Sequence, residues 1–598
     1  MSLTEATAPA PAGVARALWL VFALASVVFH LGLVFSGLVP NLVSRPLHLV
    51  FVLPWVLMRG RQGLSLWSGA ALCLVGAGGA LWVALNHDAL GDQYGFLEGN
   101  FQLAVAVTLI VVVLEAARRA IGWPLPLVAA AALAYGLWGQ FIPGRFGHAG
   151  TPLESFLGTL TISEGGLWGT LTSVSVNVVA VFVIFGAVLN AGEAGQGFMN
   201  VAAAAAGRLR GGAAKVSVLS SALFGSISGS ASANVASTGA ITLPAMARLG
   251  YPRRIAGAVE AVASSGGQIM PPLMGAGAFV MVELTGVPYT GIMAAAALPA
   301  LLYFWAVWVG IDGYARRFDL KGLPPGERPA ARDVAITSGF FLVPFSVLMW
   351  GMFGLEVTPQ YAASLAVFAG AVLLAMGGDL RLDARRAAAR AETALLSAGR
   401  QVALIGSIIF CASLVIGVLG VTGLGVKITS LILSVSGGLL WPSLLLTAAA
   451  CLILGMEVPT TAAYVICVSV AGPALIALGV APLQANLFVF WYALLSTITP
   501  PVCGAVFIAA GMIGENWLKV ALTAMTLGVG LYLVPLGMIA APDLIRPLDA
   551  PLGALIATLK LGAGLAATSW GLVHRAHPAL RALALALGGA LILWPLTP

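Results

Sequence analysis

Charge is what this chain has least of. Lys, Arg, Asp and Glu make up 9% of its 598 residues, where an average soluble domain carries about 25%. So little charge cannot keep a chain of this length in water, which excludes a soluble enzyme, alone or on an anchor. Cysteine and histidine are also scarce. The five cysteines (Cys73, Cys411, Cys451, Cys467 and Cys503) lie in apolar segments without metal-ligand spacing and read as small core residues. The six histidines are scattered with no paired arrangement, so no metal site is expected. The sequence offers no Ser/His pair, no paired carboxylates and no run resembling a soluble capture domain, so neither an enzyme nor a cofactor is expected. The net charge of +7 mostly reports loop orientation in a chain of this kind and does not point to nucleic acid.

What is present is hydrophobic length. Hydrophobic residues make up 60% of the chain; at roughly 20 residues per crossing they supply about 14–16 spanning or re-entrant segments. This predicts an all-α polytopic protein surrounded by membrane lipid. Residues 17–38, 47–58, 66–86 and 101–117 form a four-span unit within 1–121. The run from Ala17 to Leu38 is too long for a signal peptide and reads as the first span. Arg59, Arg61, Arg118 and Arg119 follow the second and fourth spans, while the loop 87–100 carries Asp88, Asp92 and Glu98 and no Lys or Arg. The positive-inside rule then places the N-terminus in the cytoplasm. Glu115 and Arg119 stand four apart and can pair. Further spans are expected at 125–142, 174–191, 291–311, 335–354, 361–377, 401–422 and 515–541. The tail, 542–598, adds apolar stretches at 552–573 and 579–595 that read as scaffold. The stretch 379–400, with Arg381, Arg385, Arg386, Arg390 and Arg400, reads as a helix lying on the inner surface.

Residues 215–283 organise the rest. The segment 216–247 is apolar, yet Lys215 precedes it and Arg248, Arg253 and Arg254 follow it. Both ends therefore belong on the cytoplasmic side. Each limb has about 12–16 residues, too few for two full crossings at 1.5 Å per residue. The pattern predicts a re-entrant hairpin with the polar run 226–234 at its tip, reaching towards Thr238. The following segment, 255–284, contains Ser264-Ser265-Gly266-Gly267-Gln268-Ile269-Met270-Pro271-Pro272. Two prolines after two glycines unwind a helix in its middle, which a bilayer tolerates only where backbone lines a cavity or packs in protein. Freed carbonyls suit a cation, and the N-terminus of the second half-helix suits an anion. Glu283 reads as interfacial, and Glu260 as packed against an arginine such as Arg254.

The logic then recurs. The long apolar segment 442–480 is interrupted by Gly455-Met456-Glu457-Val458-Pro459-Thr460-Thr461 and is followed by Ser496-Thr497-Ile498-Thr499-Pro500-Pro501. The offset that carries Pro271 onto Pro500 also carries Gly275 onto Gly504 and Ala276 onto Ala505. The number of intervening spans opens the first hairpin inwards and the second outwards. This is an inverted-topology repeat, about 143–311 and 379–541 within a unit 122–541, with its site near the midplane. Glu457, the one acid in either tip, is a candidate for a coupling proton or for holding a cation.

The run Gly229-Ser230-Ala231-Ser232-Ala233-Asn234, with Gly239, Pro244-Ala245-Met246, Gly250-Tyr251 and Gly266-Gly267-Gln268-Ile269-Met270-Pro271-Pro272, resembles the large permease subunit of tripartite ATP-independent periplasmic (TRAP) transporters. The resemblance covers roughly 125–540, and the first four spans, including Glu115 to Arg119, resemble the small permease subunit. The whole looks like a fused permease of the kind that works with TAXI-type periplasmic binding proteins. The resemblance implies an elevator-type secondary transporter in the bacterial inner membrane, taking up an organic anion, often a carboxylate, with sodium or, alternatively, protons. By position, its ion sites fall on Ser230, Asn234, Gly266 and Gln268 in one half and on Gly455, Thr460, Thr461, Ser496 and Thr499 in the other. Candidates for contact with solute are Ser232, Asn234, Pro271, Thr461 and Pro500. Glu457 stands where the family usually has a neutral residue. A monomer is expected. The alternative to a transporter is a channel filtered by the polar tips; two unlike tips facing opposite sides fit alternating access better.

Overall fold

A computed structural model describes residues 13–455 and 460–595. Ten of its helices are long and apolar enough to cross a membrane, and seven more are apolar and shorter. Among the described residues the only β feature is an isolated bridge between Met376 and Leu382. The chain is an all-α polytopic membrane protein.

The N-terminal unit comprises helices Val14–Phe35, Asn41–Leu57, Gly63–Leu85 and Gly99–Ile121. The second helix is longer than the sequence suggests, because it begins directly after Pro40, with Pro46 and Pro54 inside it. Gly122, at φ 88°, ends the fourth helix, and Pro124 opens the next, the usual stop and start for each. Glu115 accepts from both Arg118 Nε and Arg119 Nε at 2.6 Å, and Arg119 reaches on to the carbonyls of Leu57 and Ser65. The expected pair is thus a clamp across three helices.

Two expectations are overturned here. The helix from the stretch 379–400 does not end before the next span. Ala384–Thr422 is one helix of 39 residues, about 58 Å long. Nothing at 398–401 breaks it, since a single glycine inside a helix costs only about 1 kcal/mol and Gly399 lies against the Trp55 ring. Its basic face is held by protein: Arg386 pairs with Asp379 at 2.9 Å, Arg390 with Glu193 at 2.5 Å, and Glu392 with Arg16 at 2.5 Å. Packed on Val14–Phe35, Asn41–Leu57, Gly99–Ile121 and Pro124–Trp138 on one side and on Ala180–Ala191 on the other, it is the spine that joins the N-terminal unit to the rest.

The histidines are the second correction. His30 and His48, far apart in sequence, are both fully buried, with Nε2 of one 2.8 Å from Nδ1 of the other. The chain continues from His30 to Ser26 O at 2.6 Å and from His48 to Ser175 Oγ at 3.0 Å. Ser175 opens a π-helical turn, Ser175–Val179, inside the span Thr170–Ala191. Sequence spacing could not show this pairing because it is made between helices.

Behind the spine come the elements that build the site. Gly212–Ser228 and Ala231–Arg248 form the first hairpin. Arg253–Gly266, a 3₁₀ turn Gly267–Ile269, an unwound stretch and Ala276–Thr285 form the first broken helix. Leu440–Leu454 and Thr460–Ala477 pair as the limbs of the second hairpin. Pro482–Leu494, a 3₁₀ turn Leu495–Thr497, an unwound stretch and Gly504–Ile513 repeat the broken helix. Both Pro-Pro bonds are cis. The final expected span is two helices, Trp517–Leu527 and Gly530–Ala540.

Candidate functional site

The first hairpin turns more sharply than the sequence indicates. Residues 226–228 remain helical, and the break is confined to Gly229 and Ser230. Gly229 takes a left-handed conformation, φ 59°, open to glycine and costly for other residues. Ser230 caps the second limb, its Oγ accepting from Ala233 N at 3.3 Å. The hairpin then lies flat on the first broken helix. A Cβ on Gly225 would stand 2.4 Å from Gly267 Cα, and one on Gly267 2.6 Å from Gly225 Cα. Backbone meets backbone at this crossing, which glycine alone allows.

Asn234 sits beside that crossing, fully buried. Its Nδ2 donates to Ser221 O at 2.8 Å, on the opposite limb, with Ser264 O at 3.5 Å on the broken helix. It therefore ties together the three helical pieces. Gln268 is buried on the 3₁₀ turn, and among the described residues neither its Oε1 nor Ser228 Oγ at the tip has a partner. Gly266 turns its Cα face to the Tyr303 ring. The unwound stretch is pinned by Tyr289, whose Oη lies 2.6 Å from Pro272 O and 2.8 Å from Leu273 O. Part of the freed backbone is thus already engaged. Pro271 and Pro500 are half-buried.

In the second half, Gly455 is buried against Ser496, whose Cβ is 3.3 Å from where a Gly455 Cβ would lie. Ser496 Oγ donates to Ala493 O at 2.9 Å. Thr499 Oγ1 is 2.7 Å from Tyr532 Oη. Thr460 and Thr461 open the second limb, half-buried. Glu457 lies outside the described residues.

The two halves meet through reciprocal packing. Ala276–Thr285 packs on Thr460–Ala477 and Pro482–Leu494, while Gly504–Ile513 packs on Ala231–Arg248 and Arg253–Gly266. Each second half-helix thus rests on the other half's hairpin and first half-helix. Ser265 Oγ and Thr497 Oγ1 join the two breaks at 2.8 Å. Ser232 Oγ is 3.5 Å from the place a Gly504 Cβ would occupy. Asn234, Gly266 and Gln268 lie at the first break; Ser230 caps the second limb of its hairpin, and Ser232 faces Gly504 of the other half; Gly455 meets Ser496 at the second break, where Thr499 bonds to Tyr532.

One cluster is absent from the sequence reading. Glu260 is fully buried, and among the described residues its hydrogen-bond partners are hydroxyls and not an arginine. Ser217 Oγ reaches it at 2.8 Å, Thr238 Oγ1 at 2.5 Å, Ser264 Oγ at 3.5 Å, and Thr242 Oγ1 completes the set. Arg254, the expected partner, stands near the start of the helix, more than a turn away. Glu283 is exposed. The signal was available: Asn234, Thr238 and Thr242 recur every four residues, so they line one helical face.

Residues 108–547 match the family model described as "Tripartite ATP-independent periplasmic transporter, DctM component". The chain belongs to this family. Relatives fit the assignment. The C4-dicarboxylate TRAP transporter large permease protein DctM of Pseudomonas aeruginosa is 27% identical over 340 residues, 56% of this chain and 76% of the relative. The isethionate TRAP transporter permease protein DctMQ of Oleidesulfovibrio alaskensis is 24% identical over 383 residues, 62% of this chain and 58% of the relative. The sialic acid TRAP transporter large permease protein SiaM of Vibrio cholerae is 24% identical over 380 residues, 62% of this chain and 84% of the relative. This TRAP permease is a transporter and not an enzyme; its family takes up organic acids by secondary transport, with a periplasmic substrate-binding protein as partner.

Proposed function

We propose that this permease carries a small organic anion, a carboxylate by preference, across the inner membrane, drawn by a sodium or proton gradient. The N-terminal unit, 1–121, acts as a fused small subunit, and 122–541 holds the transport machinery, with 542–598 as added scaffold. A TAXI-type binding protein delivers the anion, the N-terminus faces the cytoplasm, and the site moves by an elevator motion. The observation that carries this reading is the reciprocal packing of two hairpins and two broken helices, joined by the Ser265–Thr497 contact.

The residues at the first break supply cation chemistry. Asn234 offers a cation its side-chain carbonyl, Oδ1, which lies 3.3 Å from Thr238 Oγ1. Gln268 Oε1, buried and without a partner among the described residues, adds a further oxygen. The second half-helices begin at Ala276 and Gly504 with free backbone N–H groups, which favour a carboxylate. Anion and cation held together stabilise each other, so neither crosses readily alone.

Proteoliposomes holding the permease and its cognate binding protein test this, with radiolabelled succinate, isethionate and sialic acid as probes under separate sodium and proton gradients. Gradient-driven, binding-protein-dependent uptake of one probe is expected. Thr461→Ala should lower that uptake with the thermal midpoint unchanged. Ohmic current, or uptake indifferent to both gradients, would reject the proposal.

A further inference from the structure

We infer that Glu260 is a reversible proton-binding site, open through Thr242 to the cavity beside Arg248 and Glu327 and linked to Asn234 through Thr238. The inference deepens the transport reading and rests on it for the link to solute.

Hydrogen-bond counting carries it. Thr238 Oγ1 has one proton, yet it lies 2.8 Å from Asn234 O and 2.5 Å from Glu260 Oε1, both acceptors when the carboxyl is ionised. Thr242 Oγ1 has one proton and lies 3.0 Å from Thr238 O and in contact with Glu260 Oε2. These two hydroxyls thus have two protons for four acceptors, while Ser217 and Ser264 supply two more to the carboxyl alone. A further proton, on Glu260 Oε2, fits the set: the carboxyl donates to Thr242 Oγ1, Thr242 donates to Thr238 O, and Thr238 donates to Asn234 O. When the proton leaves, both hydroxyls rotate towards the carboxylate, and Ser217 already donates to it at 2.8 Å. Either charge state is thus hydrogen-bonded without moving a heavy atom, as a buried carboxylate requires. A metal ion fits poorly, because these oxygens stand at hydrogen-bond distance. A cation bound at about 2.3–2.6 Å holds neighbouring ligand oxygens farther apart.

Charged groups on the surrounding elements are engaged elsewhere or stand at helix ends. On the first limb, Lys215 is buried and pairs at 2.5 Å with Asp312 of Tyr289–Arg317. On the second limb, Arg248 lies 3.6 Å from Glu327. Arg253 and Arg254 stand at the start of the helix that carries Glu260. Lys519, on Trp517–Leu527, is 3.9 Å from Glu515. Gly504–Ile513 brings no titratable side chain. Tyr303, also packed here, donates to Val262 O at 2.7 Å.

The route is a separate observation. A cavity of about 620 Å³ opens between the first hairpin and helices Ala194–Ala206 and Ala331–Phe353, with Arg248, Glu327, Arg328 and Asp333 in its walls. Of the four hydroxyls around Glu260, Thr242 alone lines it. A hydronium there passes a proton to Thr242 Oγ1 as Thr242 passes its own to Glu260 Oε2. The hydronium becomes water, the hydroxyl is restored, and the carboxylate becomes a carboxylic acid. On the other side, Thr238 Oγ1 is 3.3 Å from Asn234 Oδ1, so the proton's presence is felt at the candidate ion site.

Difference infrared spectroscopy on the full chain in liposomes tests this without any solute, cycling from about pH 5 to about pH 9. A carboxylic-acid C=O band should come and go with pH, vanish in Glu260→Gln and persist in Glu283→Gln. Thr242→Val should keep the band and slow its response to a pH jump by roughly a hundredfold. A band that survives Glu260→Gln, or no titrating band in the unaltered protein, overturns the site; an unslowed Thr242→Val overturns the route. Loss of pH response here beside normal gradient-driven uptake removes this inference alone. The converse removes the transport reading alone.

Discussion

Where the first half of the repeat buries Glu260, the second half buries Val489. The offset that aligns the two Pro-Pro pairs makes these residues equivalents, and both are fully buried on the first half-helix. The frames agree closely: a helix of 14 or 13 residues, a 3₁₀ turn, an unwound stretch and a second helix of 10. The interiors differ. Around Glu260 lie Ser217, Ser221, Asn234, Thr238, Thr242 and Ser264, all buried. The second hairpin and half-helix instead bury Tyr464 against Phe490, with Tyr464 Oη donating to Asn486 at 2.6 Å. The repeat therefore fixes the path of the backbone and leaves each half free to bury its own chemistry.

The comparison can be broken most severely by making the halves alike. Val489→Glu places a carboxylate where no hydroxyl cage is arranged for it. A loss of about 3 kcal/mol or more is expected, read as loss of monodisperse protein after extraction. A well-folded Val489→Glu would mean the second half tolerates the same chemistry. The hairpin contacts come next. Gly267→Ala forces a methyl into the Gly225 backbone and should cost about 1–3 kcal/mol. Gly455→Ala meets its own limb's Cys451 carbonyl at 2.8 Å and, among the described residues, no other element closer than 3.3 Å, so it should cost less. Thermal unfolding in detergent orders the two, and the reverse order would contradict the tighter first hairpin. Smallest is the bond between the halves. Ser265→Ala and Thr497→Val should each cost about 1 kcal/mol, with the double variant no worse than either. Additive losses would show that the two hydroxyls act separately.

Much of this architecture was legible before any coordinates. Low charge and long apolar runs required a membrane protein. Basic residues at both ends of 216–247 required a hairpin, and Pro271-Pro272 and Pro500-Pro501 required two interrupted helices. What misled was local grammar applied to residues whose partners are distant. The stretch 379–400 looks like a surface helix, but Arg386 answers Asp379, Arg390 answers Glu193, and Glu392 answers Arg16 on a neighbouring helix. Lys215 looks like a loop marker and is buried on Asp312. His30 and His48 look scattered and touch.

By itself the sequence determined that the chain crosses the membrane many times, where helices must break, and that the breaking pattern occurs twice. Each of these follows from neighbours along the chain: hydrophobic length, proline's missing donor, glycine's freedom. Only the tertiary structure decided that each second half-helix packs on the opposite half, that Asn234 ties three pieces together, and that four hydroxyls from three helices surround Glu260. Those contacts join residues far apart in sequence, and a buried polar group is defined by what surrounds it in space.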